Sequence, residues 1–249
     1  MQNEKEDNVI APEKWEFDEA VANCFENMLE RSIPQYSIMR KSVADLAYSI
    51  IAENDVKKSV YQVLDIGCSD GIMIETLMKR FSEYDGTGYY TGIDVSEAML
   101  KKAKYRLLDD IVSGLVKIYN CDLREKFPSG LYDIVTSVLS LQFVPIEYRQ
   151  GIIQKIYNSL SNKDGCFIMV EKVLGNTDML NKLFIKNYYA MKSDNGYSEE
   201  QIERKRLSLE GVLVPVTNDW NIDLLKQAGF RQVDVFWRWM NFVGYIAIK

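Results

Sequence analysis

Val63-Leu64-Asp65-Ile66-Gly67-Cys68-Ser69-Asp70-Gly71 is the stretch on which the fold of this chain is decided. A short β-branched run over residues 61–66 stops at Gly67, and a helical pattern follows over about 71–81. That order reads as strand, tight turn, helix. Gly67 and Gly71 let the backbone come close to a ligand without a Cβ in the way, and Cys68 and Ser69 lie between them. Asp65 can accept hydrogen bonds from loop amides or from the amino group of a bound amino acid. The loop lacks the third glycine of G-x-G-x-x-G, so it is not the turn that seats a pyrophosphate on a helix N-terminus.

Outward from this turn the same alternation repeats. Residues 89–93 read as a second strand ending at Asp94, and Ser96 is a good N-cap for a helix through Leu108. Residues 116–119 form a third strand, followed by Asp122. Residues 132–139 form a fourth, 145–160 a helix, 161–165 a turn cluster and 166–170 the fifth strand. Strands alternating with helices at this spacing predict a parallel sheet covered on both faces. Asp94 can take both hydroxyls of a ribose. Asp122 can accept from an adenine amino group while Leu123 covers the ring. Three anchors at three successive strand ends fit the rule that α/β ligands bind beyond the carboxyl ends of strands.

The flanks are helical. Phe17, Val21, Phe25, Met28 and Leu29 recur at three- and four-residue steps, Pro34 interrupts, and a second helix runs over about 37–52. Residues 1–14 read as a loose tail and 15–249 as one domain. After the fifth strand come a helix over 177–191, a break at Asn195-Gly196, and a helix capped by Ser198 with Gln201 three residues on. Residues 177–214 are expected to be a helical lid over the acceptor, with Tyr197 touching substrate. A helix over 221–228 and strands over 230–237 and 242–248 close the chain.

Composition narrows the chemistry. The chain has 249 residues, 47% apolar and 27% charged, which suits one α/β domain with a full core. The net charge is −6, and a protein that grips nucleic acid by its phosphates carries a basic excess, so nucleic acid is not expected as a direct partner. The basic clusters Lys101, Lys102, Lys104, Arg106 and Arg204, Lys205, Arg206 read as solvated helix faces. No apolar run is long enough for a bilayer, and the acidic N-terminus lacks a signal peptide's features, so a cytoplasmic location is the default. There is no His, and the four cysteines are scattered. A zinc site, a His triad and a His general base are therefore not expected, and no catalytic residue is singled out.

With these residues in place, the sequence resembles class I S-adenosylmethionine (SAM) methyltransferases, whose loop is D-x-G-x-x-x-G. Over nearly its whole length it resembles the carboxy-S-adenosylmethionine synthases and their close relatives, also labelled tRNA uridine 5-oxyacetic acid methyltransferases. The further matches are Phe17-Asp18-Glu19, Val21-Ala22, Arg31-Ser32, Pro34-x-Tyr36-Ser37, Leu141-Gln142-Phe143, Glu171-Lys172, Asn195-Gly196-Tyr197-Ser198-Glu199, Lys205-Arg206, Leu209-Glu210 and Asn241-Phe242. The resemblance implies a Rossmann-like SAM methyltransferase fold: a mostly parallel seven-stranded sheet with the last strand antiparallel, N-terminal helices and a helical insertion after the fifth strand.

It also implies that Tyr36, Gly67, Cys68, Ser69, Asp94, Asp122 and Leu123 contact SAM or carboxy-SAM, and that Arg206 reaches the carboxylate of carboxy-SAM. Asp65, Gly71, Val95, Met99 and Val138 complete the cofactor-site candidates. Val95 and Val138 stand where the synthases carry Asn. These two departures favour methyl transfer from SAM to a small-molecule substrate as the leading expectation. The alternative is carboxy-SAM synthesis from SAM and prephenate, in tRNA wobble uridine modification. A catalytically silent SAM-binding module is the third reading, and the sequence leaves a homodimer open.

Overall fold

The computed structural model describes residues 14–52, 59–82, 84–161 and 165–249; the tail expected over 1–14 lies, apart from Lys14, outside them. Helices α1 (Glu19–Ser32) and α2 (Tyr36–Ala52) come first. Then follow β1 (Val60–Ile66), α3 (Ile72–Phe81), β2 (Thr87–Asp94), α4 (Glu97–Arg106), α5 (Leu108–Val112), β3 (Val116–Asn120), β4 (Ile134–Val138), α6 (Ile146–Ser159) and β5 (Cys166–Leu174). Helices α7 (Asp178–Asp194) and α8 (Glu199–Leu209), strand β6 (Val216–Thr217), α9 (Asn218–Gln227), β7 (Gln232–Trp239) and β8 (Phe242–Ile248) complete the order.

The sheet runs β3-β2-β1-β4-β5-β8-β7. The first five strands of that order pair in parallel, while β8 is antiparallel to both β5 and β7. This is the expected mixed sheet with one addition, the two-residue β6, which pairs with β5 off the main path. From β1 the chain walks outward through β2 and β3, then returns to place β4 and β5 on the other side. The connections reverse between β1 and β4, and a ligand crevice opens at the carboxyl ends there.

Alternation along the strands fills both faces. Leu64 and Ile66 of β1 pack with Ile152, Ile156, Leu224 and Phe167 on one side. Tyr61 and Val63 pack with Met39, Val43, Ile74 and Leu77 on the other. Each large apolar side chain so buried contributes roughly 1.5–3 kcal/mol. A third, smaller cluster joins Trp15, Val21, Phe25 and Met28 to Met99. It anchors α1 beside the crevice.

Several boundaries differ from expectation for local reasons. The fourth strand is shorter than 132–139: Leu139 turns to φ 57, and Tyr132 makes only an isolated bridge to Leu160. The helix after Ser96 breaks at Leu107, where φ −106 and ψ 24 separate α4 from α5. Helix α9 begins at Asn218 rather than 221, because the Thr217 side chain accepts from the Trp220 amide and caps it. Among the described residues, no helix is long and apolar enough to cross a membrane.

Candidate functional site

A cavity of about 350 Å³ opens at the carboxyl ends of β1, β2, β4 and β5, within the size range of small-molecule sites. The Gly-rich loop forms its floor. Gly67, Ser69 and Gly71 all have positive φ, at 68°, 53° and 84°. This backbone is cheap for glycine and costly for other residues. A Cβ on Gly67 would lie 2.0 Å from Ser140 Oγ, so the loop and the segment after β4 are in contact only because residue 67 has no side chain.

Asp65, Gly67, Cys68 and Ser69 line this cavity, as do Tyr36, Asp94, Val95, Asp122, Leu123 and Val138. Asp65 is buried; its Oδ1 accepts from Thr136 Oγ1 at 2.7 Å, and its Oδ2 has no partner. Burial pushes its pKa up to about 7, against the lowering effect of the Thr136 hydrogen bond. A buried carboxylate oxygen without a donor is costly, and a ligand ammonium beside it would remove that cost. Asp94 is oriented by two backbone donors, Ser69 N at 3.0 Å and Ser96 N at 2.9 Å, and burial raises its pKa. Asp122 accepts from the Arg124 amide at 2.9 Å and from its guanidinium, and the side-chain hydrogen bond holds its carboxyl below the usual range. Asp122 is thus already shared with Arg124, and any ligand donor would have to compete for it. The Cys68 thiol is pushed up by burial, so it stands as a neutral, packed wall.

Four candidates are placed elsewhere. Gly71 is the N-cap of α3, and a Cβ there would sit 3.0 Å from Leu107; its role is in loop packing rather than in the cavity wall. Met99 is buried in the cluster around Trp15, Phe25 and Met28, behind side chains that themselves line the cavity. Tyr197 is buried with the Arg31 guanidinium 4.2 Å from its ring centre, and is not among the residues lining this cavity. Arg206 donates to Glu203 at 2.8 and 2.7 Å and lies 3.8 Å from Glu210. It lines a second cavity of about 250 Å³ that adjoins the first across Lys172, Tyr188, Lys205 and Leu209.

The sequence reading missed three features. Arg106 is not a solvated charge: it bonds Asp70 at 2.9 Å, Glu75 at 3.0 Å and Glu26 at 3.3 Å, tying α4 to the Gly-rich loop and to α1. Nothing local signals this, because its partners are scattered along the chain. Arg40 covers the Tyr36 ring at 4.6 Å and lines the cavity. Lys172 also lines it, at the carboxyl end of β5. A charge directly after the apolar run of a central strand was the available signal for Lys172.

The match to known families follows this geometry. The profile of a methyltransferase domain matches residues 63–163, the segment from β1 past α6. A carboxy-S-adenosyl-L-methionine synthase of Methylococcus capsulatus is 36% identical over 94% of this chain and 93% of its own length. A protein of the same name from Nautilia profundicola is 39% identical over 95% of each chain. Among solved structures, an O-methyltransferase family protein from Burkholderia thailandensis superposes with a TM-score of 0.64 at 15% identity, over 93% of this chain and 60% of that one, a likeness of fold. These matches make the protein a SAM-dependent transferase, and they favour the synthase alternative over methyl transfer to a generic acceptor. The chain belongs to the carboxy-S-adenosyl-L-methionine synthase family.

Proposed function

We propose that this protein is a carboxy-SAM synthase, joining the methyl carbon of SAM to carbon dioxide released from prephenate. The observation that carries this reading is the 36–39% identity over 94–95% of the chain with proteins of that name. It extends well beyond the cofactor loop, which the fold alone would account for.

The residues divide the work. Asp65 takes the amino group of SAM on its unpartnered oxygen, Asp94 takes the ribose hydroxyls, and the backbone of Gly67, Cys68 and Ser69 cradles the methionine part. Asp122 and Leu123 hold the base, while Tyr36, Val95 and Val138 supply walls. SAM brings a sulfonium that acidifies the attached methyl C–H bonds. Prephenate breaks the C–C bond to its ring carboxylate to give carbon dioxide and expels its ring hydroxyl as hydroxide, becoming aromatic. The methyl carbon breaks one C–H bond and forms one C–C bond to the carbon dioxide, and its proton joins the hydroxide as water. What this chain adds is orientation and exclusion of water. Arg206, in the adjoining cavity, reaches a ligand carboxylate on exchanging its pairs with Glu203 and Glu210. Residues 177–214 act as a cover for that end. Ligand should then slow amide exchange across them more than in α6 and α9, and equal protection would make them passive scaffold.

Mass spectrometry of the nucleoside that co-purifies with the protein tests the reading. Carboxy-SAM supports it. A second reading, methyl transfer, rests on Val95 and Val138, which line the cavity in place of amides; co-purified S-adenosylhomocysteine without carboxy-SAM would favour it.

A further inference from the structure

Lys172 lines the cavity without an ion pair to the cavity's carboxylates, Asp65, Asp70, Asp94 and Asp122. It lies two residues before the end of β5, and its side chain lies in the wall shared by the two cavities. Its ammonium is 4.6 Å from the Tyr188 ring centre and 5.9 Å from that of Phe242. Two aromatic faces hold a cation in place without neutralising it. No carboxylate lies within 4 Å of Lys172 among the described residues, and burial alone lowers its pKa to about 8. Near neutral pH the group is still mostly protonated. Glu171 does not serve as its partner. Successive strand residues face opposite sides of the sheet, and Glu171 accepts from the Leu141 amide at 3.1 Å.

Topology says where this cation sits relative to a bound nucleoside. Asp94, Asp65 and Lys172 belong to β2, β1 and β5, and β4 separates the last two. The ribose and amino-acid anchors occupy one side of the reversal between β1 and β4. Lys172 occupies the other, at the end that the anchors leave to the second reactant. The anchors at the first end are acidic and Lys172 is basic, so a molecule filling the cavity should carry its anionic group at the β5 end.

We propose that Lys172 is a second cation, besides Arg206 of the adjoining cavity, that receives a ligand carboxylate at this end of the cavity. The proposal rests on the carboxy-SAM synthase reading, and it assigns to Lys172 a contact with the ligand itself. The carboxylate belongs either to the carboxymethyl group of carboxy-SAM or to a separate carboxylate reactant.

Calorimetry with wild type, Lys172→Met and Lys172→Arg separates these. The first arm compares carboxy-SAM with SAM. The second titrates prephenate into protein loaded with S-adenosylhomocysteine, which cannot react. Lys172→Met should lose about tenfold or more in affinity for carboxy-SAM, for prephenate, or for both. SAM affinity should stay within about threefold, which also reports that the variant is folded. Lys172→Arg should recover much of the loss, since it restores the charge. A loss in the first arm places the carboxylate on the nucleoside, and one in the second places it on the co-reactant. If Lys172→Met does not fold, Lys172→Gln reads the same two affinities. Wild-type values in both arms for the charge-removed variant overturn the proposal and leave the synthase reading intact. Wild-type protein that binds neither SAM nor S-adenosylhomocysteine overturns both.

Discussion

The two ends of the large cavity are built by different means. At the β1–β2–β3 end, the binding groups lie at the tips of strands paired in a parallel ladder, and backbone amides orient them: Ser69 N and Ser96 N on Asp94, Arg124 N on Asp122. At the β5 end the walls are long side chains from separate elements, Lys172 from β5, Tyr188 from α7 and Lys205 from α8. The first end is acidic and fixed by hydrogen bonds. The second is basic and held by packing against aromatic rings. On the proposed function, the fixed end would hold the nucleoside and amino acid of SAM, and the side-chain-built end would select the second reactant.

The largest effect should come from breaking the fixed end at its backbone. Gly67→Ala puts a methyl group 2.0 Å from Ser140 Oγ at φ 68. It should cost about 1–3 kcal/mol of stability, read from urea unfolding, and abolish measurable SAM binding. Unchanged unfolding and binding would mean that the loop tolerates a side chain and is not tightly set.

Next comes Asp65→Asn, which keeps the shape and removes the charge. SAM affinity should fall about 10–100-fold, while methylthioadenosine, which lacks the amino acid, should bind as before. The wild type should also show a pH dependence. The folded Asp65 carboxyl is raised to about 7. A ligand ammonium favours its ionised form, so SAM affinity should fall as pH drops below 7, and the Asn variant should lose this slope. Equal losses for both nucleosides would move Asp65 from ligand contact to loop support.

Asp94→Ala should weaken SAM and methylthioadenosine alike, by about tenfold, because both carry the ribose. Unchanged affinity by calorimetry would remove Asp94 from the site. The smallest effect belongs to the other end. Arg206→Ala should leave SAM affinity within about threefold, since that guanidinium is half exposed and engaged with Glu203 and Glu210 outside the larger cavity. A larger loss would mean that the two cavities act as one site for SAM itself.

The same contrast explains how much was legible in the sequence. The strand–loop–helix at 63–71 and the cavity-lining positions of Asp94 and Asp122 were readable because each lies within a few residues of the strand that positions it. The parallel part of the sheet followed from the alternation of those strands with helices. The packing of Met99 against Trp15 and Phe25 was not legible, because it joins positions about 80 residues apart that no local pattern links. Arg206 was expected to reach the carboxylate of carboxy-SAM; its ion pairs with Glu203 and Glu210, three and four residues away on α8, are the kind a helix brings close at little cost. The Arg106 network and the placement of Lys172 depend on which helices close over the crevice, information that only the folded chain holds.

The central claim is that the methyl carbon of SAM gains a carboxyl group here. Purified protein incubated with SAM and prephenate labelled in its departing carboxyl carbon tests it in one experiment, read by mass spectrometry. The account predicts carboxy-SAM carrying the label. Recovery of SAM unchanged, or of S-adenosylhomocysteine beside a methylated acceptor, would contradict it.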